Sequence, residues 1–133
     1  MPLKKRSLLS RSKIWIEDEQ GDVVFGSGRL KILKAIKENG SINAASKELK
    51  IGYRAVWARI NATETRLGKK LLRKKSGGSS GGGSQLTPFA EMIIERFEYI
   101  QNKIENHTDL LIKEELGDQL NIDNQCRENT DNH

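Results

Sequence analysis

The chain is poor in the residues that catalysis and covalent scaffolds need. Its 133 residues include one cysteine, Cys126, and two histidines, His107 and His133. A lone thiol cannot close an internal disulfide, which fits a reducing compartment. So few soft ligands, so far apart, cannot converge on a metal. The apolar fraction is 35%, below the ~45–50% usual in globular chains, so part of the chain is expected to stay unpacked. No apolar run approaches the ~20 residues of a membrane helix. The basic start, Met1-Pro2-Leu3-Lys4-Lys5-Arg6, is followed by no apolar signal core. A cytoplasmic protein without a membrane partner is expected. The length excludes a two-domain enzyme with a cleft between lobes and leaves one small domain with an appended helix and tail. Acids lie mostly in the tail or on solvated faces, so paired-carboxylate catalysis has no support. The glycine run lacks a following Gly-Lys-Ser/Thr, so it is not a nucleotide-binding P-loop. Neither enzymatic activity nor a cofactor or metal is expected.

Positive charge is what the chain does have. It carries 23 Lys and Arg against 18 Asp and Glu, a net charge of +5. Residues 105–133 hold eight acids and two bases, a net of −6, which leaves +11 on the other 104 residues. A small body of that charge attracts polyanions through counterion release, and nucleic acid is the commonest. A merely solvated lysine-rich surface is the alternative.

Residues 1–12 are basic and aperiodic and read as a flexible arm. Lys13 to Glu17, a turn at 19–22 and Val23 to Phe25 read as a β-hairpin. Gly26-Ser27-Gly28 ends it, with Ser27 as a candidate helix cap. From Arg29 the period becomes helical: Leu30, Ile32, Leu33, Ala35 and Ile36 form one stripe, stopped by Asn39-Gly40. Ser41 caps a second helix that buries Ile42, Ala44, Ala45 and Leu49. Lys50-Ile51-Gly52 is a turn, and a third helix runs over 53–66. Lys70 to Lys75 and Gln85 to Thr87 read as strands around the serine-glycine stretch 76–84. Thr87-Pro88 opens a fourth helix, expected to reach about Glu115. On it Ile93, Phe97, Ile100, Ile104, His107 and Leu111 recur in steps of 4, 3, 4, 3 and 4, a heptad seam suited to a homodimer. Phe89 and Met92 are expected to dock on the body. Residues 117–133 are polar, acidic and aperiodic and read as disordered.

Two short helices joined by a glycine-containing turn in a basic domain form a helix-turn-helix. Its second helix fits the major groove of double-stranded DNA. At 100° per residue, Val56, Ile60, Thr63 and Leu67 face inward. Arg54, Ala58, Asn61, Ala62 and Thr65 then face outward, flanked by Tyr53 and Trp57. Arginine pairs with guanine O6 and N7, and asparagine with adenine N6 and N7. Trp57 is expected to be half-buried against the following hairpin. Ser41 can hold a phosphate with its hydroxyl and the free amides beside it while capping its helix. The hairpin after the third helix is a wing. Its tip glycines, Gly77, Gly78, Gly81 and Gly82, allow close backbone approach to phosphates, and Arg73, Lys74 and Lys75 supply charge at its base. His107 on the seam is a minor candidate for a pH switch.

These residues also carry a resemblance. Phe25-Gly26-Ser27-Gly28-Arg29, Gly40-Ser41-Ile42-Asn43-Ala44-Ala45-Ser46 and Ile51-Gly52-Tyr53-Arg54-Ala55-Val56-Trp57, with the Gly77–Gly83 run and Leu86-Thr87-Pro88, resemble the N-terminal domain of ModE-type molybdate-responsive transcriptional regulators. That domain is itself similar to the LysR-type winged helix. The resemblance covers residues 13–104. It implies a dimer on palindromic operator DNA, with the fourth helix at the interface, and a link to molybdate uptake or molybdoenzyme genes. Full-length members add C-terminal molybdate-binding domains. This sequence ends in a polar tail that cannot build such a pocket, so a separate effector-binding protein is a candidate partner. The expected fold is mainly α with a small β content. It is a winged helix-turn-helix with an N-terminal β-hairpin (13–87), a long C-terminal dimerisation helix (88–116) and a tail (117–133). The expected function is sequence-specific regulation of transcription. A non-specific architectural DNA-binding or protein-interaction module is the alternative.

Overall fold

The computed structural model describes residues 6–75 and 83–122. They form two compact units, one of residues 14–98, the other of residues 6–13 with 99–122. In the first unit, β1 (Trp15–Glu17) and β2 (Val23–Gly26) pair antiparallel. The turn between them is closed by Asp18, whose Oδ1 accepts from the amides of Gln20 (2.9 Å) and Asp22 (3.0 Å), with Gly21 at φ 87°. This is the side-chain turn chemistry expected of aspartate before a left-handed glycine.

Helix α1 (Ser27–Asn39) starts directly off β2. Ser27 is therefore not its cap. Gly26 holds that position in extended backbone still paired with Trp15, and no side chain caps the helix. The strand passes into the helix without a free residue between them. The five-residue stripe is buried as its period requires, and Gly40, at φ 80°, ends the helix by returning its N–H to the Ile36 carbonyl. In α2 (Ile42–Leu49) the Ser41 Oγ accepts from the Ala44 amide at 3.0 Å, the expected cap. Ala45 is fully buried, while Ile42, Ala44 and Leu49 are half-buried. Ser46 is also buried and donates to the Asn43 carbonyl (2.7 Å).

After a turn in which Lys50 adopts φ 57°, α3 (Tyr53–Leu67) buries Val56, Ile60 and Thr63. Its single acid, Glu64, organises the next strand. The carboxylate accepts from the amides of Leu71 (2.7 Å) and Leu72 (3.2 Å), fixing the entry to β3 (Leu72–Lys75). β3 pairs antiparallel with β4 (Gly83–Leu86) in the register Leu72↔Leu86 to Lys75↔Gly83. The base of β4 is pinned to the α1–α2 turn, because the Ser84 amide donates to the Gly40 carbonyl at 2.8 Å. A Cβ on Gly83 would collide with that same oxygen, so the strand sits this close only with glycine there. Thr87 caps α4 (Pro88–Leu120), its Oγ1 accepting from the Ala90 amide (3.2 Å) and donating to the Lys70 carbonyl (2.7 Å).

The first turns of α4 complete the core. Ala90, Ile94 and Phe97 are buried, and Phe89 and Ile93 pack against the same cluster. The Phe97 ring meets Phe25 edge-on, with centroids 5.0 Å apart. Phe97, expected on an intermolecular seam, therefore belongs to the protein's own interior, and Ile93 leans into it. Met92, expected to dock, stays exposed. Lys34–Glu98 (3.0 Å) and Lys37–Glu91 (2.7 Å) bridge α1 to α4 at the surface, where water and salt screen such pairs.

In the second unit α4 runs on to Leu120, past its expected end and through Gly117. Residues 6–12, expected as a free arm, lie along it. The Leu8 amide donates to the Asn121 carbonyl (3.3 Å), and Ser10 Oγ donates to Asp109 Oδ1 at 2.7 Å. That contact leaves Asp109 buried although it sits on a helix face that reads as solvated.

Candidate nucleic-acid interface

Helix α3 is held from behind by Val56, Ile60 and Thr63, which fixes what it presents in front. Arg54, Ala58, Asn61 and Thr65 are exposed, and Ala62 is half-buried. Tyr53 and Trp57 are 51% and 52% exposed. None of the outward residues is covered by the chain's own described residues to the extent that would bar a partner. Trp57 stands beside the wing but is exposed rather than half-buried against it. Together with Tyr53, Asn61, Arg73, Lys74 and Ser84 it lines an open groove of about 600 Å³ between α3 and the hairpin. That groove puts a donor-rich helix face and the basic strand of the wing on one side of the unit.

At the wing base Arg73, Lys74 and Lys75 are all exposed, opposite Gln85, Ser84 and Gly83. The tip glycines Gly77, Gly78, Gly81 and Gly82 lie outside the described residues. Ser41 uses a lone pair for its cap and keeps its own hydroxyl proton out of that bond. Of the heptad positions, Ile100, Ile104, His107 and Leu111 are exposed, whereas Ile93 and Phe97 are committed to the core.

The sequence pattern did not single out a group of arginines beside the recognition face. Arg29 Nε donates to Thr63 Oγ1 (3.1 Å), which donates to the Val24 carbonyl (2.7 Å). Arg66 Nη1 donates to the Val23 carbonyl (2.6 Å). Partial burial, then the positive charges of Arg66 and Arg59, hold the Arg29 pKa below its ordinary value. The available signal was the seven-residue spacing of Arg59 and Arg66, which sets both on one side of α3. Among the described residues no three His, Cys, Asp or Glu come together as metal ligands, and no helix is long and apolar enough to cross a membrane.

A three-helix core with the third helix exposed and a basic β-hairpin beside it is a winged helix-turn-helix, the architecture of a DNA-binding module. Residues 28–91 match the family of bacterial regulatory helix-turn-helix proteins, lysR family, and this stretch is a LysR-type helix-turn-helix domain. The family is one of regulators rather than enzymes. The chain is 31% identical over 88 residues to the transcriptional regulator ModE of Haemophilus influenzae, covering 66% of this chain and 34% of that protein. It is 36% identical over 77 residues to the molybdenum-pterin-binding protein MopB of Rhodobacter capsulatus, covering 58% and 28%. Among solved structures, CbnR, a LysR family transcriptional regulator, is similar with a TM-score of 0.52 at 25% identity, over 68% of this chain and 30% of that one. The matches thus span about a third of the length of these curated relatives.

Proposed function

We propose that this protein is a sequence-specific DNA-binding transcriptional regulator that grips a palindromic operator as a homodimer. One observation carries the reading: α3 is pinned from behind and leaves Arg54, Ala58, Asn61 and Thr65 exposed on one face, next to a basic wing. An α-helix fills the ~12 Å major groove, so this face meets base edges. Arg54 and Asn61 read bases, while Tyr53, Trp57, Ala62 and Thr65 shape the fit. Ser41, Arg73, Lys74 and Lys75, with the wing glycines, hold phosphates and set register without reading sequence.

The exposed stretch of α4 with Ile100, Ile104, His107 and Leu111 offers the apolar seam for a second copy. Two copies related by a two-fold axis read two half-sites, which is why the operator is palindromic. The regulated genes, on the strength of relatives named for molybdenum and for regulation, serve molybdate uptake or molybdoenzymes. The protein works in the cytoplasm, has no catalytic activity, and needs no cofactor.

Selection of bound sequences from random duplex DNA at about physiological salt tests this. A two-fold symmetric motif is expected. Arg54→Ala should cost about 1–3 kcal/mol at one position of each half-site and relax the preference there. Enrichment of no motif, with Arg54 and wing-lysine variants behaving alike, would instead mark a non-specific architectural protein.

A further inference from the structure

We propose that Arg29, Arg59 and Arg66 form a second phosphate-binding edge, on the flank of α3 opposite the wing, that takes the DNA backbone across the major groove from the strand the wing grips. The inference rests on the DNA-binding reading above and adds a contact surface to it.

The argument starts from the helix wheel. At 100° per residue Arg59 lies one step past Ala58, and Arg66 one step past Thr65, so both border the outward face. Tyr53, Trp57 and Glu64 border it on the other side, along the groove they share with the wing. The helix therefore carries a wing on one flank and guanidinium groups on the other. A major groove has a phosphate backbone on each side of any helix lying in it.

The third member comes from α1. Arg29 is held in place by its Nε bond to Thr63, the buried residue midway between Arg59 and Arg66. Its other N–H donors remain outside that bond. Arg66 and Arg59 both act on Arg29 as nearby positive charges, and no carboxylate among the described residues forms an ion pair with any of the three. Holding β2 to α3 would explain the Arg66 bond to the Val23 carbonyl, and Arg29 braces Thr63, but Arg59 makes neither contact. Three like charges gathered without a counterion destabilise a body that has no use for them. A phosphodiester removes that cost, and the planar fork of arginine suits its two free oxygens.

The test measures affinity of the full chain for a random-sequence duplex of about 30 bp across a salt series, by fluorescence anisotropy. Each phosphate contact contributes about 0.9 to the slope of log K against log salt, equivalent to about fivefold in affinity at 150 mM salt. Arg59→Gln, which breaks no intramolecular bond among the described residues, is expected to flatten the slope by about 0.9 and weaken binding about fivefold. Arg59→Gln/Arg66→Gln should flatten the slope by about 1.8 and weaken binding about 25-fold, and Arg59→Lys should stay near wild type. Base preference at the Arg54 position should not change.

If Arg59→Gln and the double variant keep the wild-type slope while Lys74→Gln flattens it, the second edge is refuted and the DNA-binding reading stands. The edge is equally refuted if only variants of Arg66 lose affinity and do so with a lowered melting temperature, because the arginines are then braces. A wild-type chain that fails to bind the duplex at all refutes both.

Discussion

Replacing Phe97 by alanine separates the interior of this protein from its proposed dimer seam. The side chain is 5% exposed and meets Phe25 edge-to-face at 5.0 Å and 76°. Deleting a buried phenyl group removes its transfer free energy and leaves a cavity, together about 3–5 kcal/mol. About 0.5–1.5 kcal/mol of that belongs to the ring pair. Small domains are stable by only about 5–15 kcal/mol, so the variant should unfold at markedly lower urea. Tryptophan fluorescence at two protein concentrations tenfold apart reads it, and the loss should be equal at both. Ile104→Ala, at an exposed position of the same helix, should cost less than about 0.5 kcal/mol within the folded monomer. It should instead raise the concentration at which dimers form. A Phe97→Ala loss below about 1 kcal/mol, or one that disappears as protein concentration rises, would refute the assignment of this ring to the core.

Gly83→Ala should push β4 off the α1–α2 turn and break the Ser84–Gly40 hydrogen bond, worth about 1 kcal/mol. Amide exchange at Ser84 should then quicken while the Arg54 base preference is retained; unchanged exchange would show that the wing is not pinned there. Glu64→Ala strands the Leu71 and Leu72 amides, and urea unfolding should record a loss of about 1.5–3 kcal/mol. The Lys37 pKa is raised, chiefly by its hydrogen bond to Glu91 and then by the carboxylate's charge. A raised pKa means the pair's contribution is complete below the unfolded value of 10.5 and is lost as pH climbs through the folded value. An alkaline stability titration of Lys37→Met against wild type should therefore converge at high pH and differ, slightly, below it.

Most of the fold was legible because short-range rules governed it. The α1 stripe, the Ser41 and Thr87 caps, Gly40 as a left-handed stop and the Leu72↔Leu86 hairpin each depend on a few neighbouring residues. So did the exposure of Arg54 and Asn61, which follows once Val56, Ile60 and Thr63 are turned inward. Features that depend on distant segments were hidden. A heptad records that one helix face is apolar but not whether its partner is the same chain or another, so Phe97 and Ile93 read as seam although both pack into the protein's own core, Phe97 against Phe25. Ser27 has the chemistry of a cap, yet β2 stays paired through Gly26 and takes the position. Ser10 and Asp109, 99 residues apart, gave no local sign of meeting. The Arg29–Thr63–Val24 relay likewise joins three elements, so only the Arg59–Arg66 spacing showed in the sequence.

The way Ser41 caps α2 makes position 41 a place where folding and recognition can be uncoupled by one atom's worth of chemistry. Aspartate caps a helix as well as serine does, so Ser41→Asp would preserve α2 and everything packed behind it. On the proposed reading it would also set an anion against the sugar–phosphate chain and weaken grip without loosening the molecule.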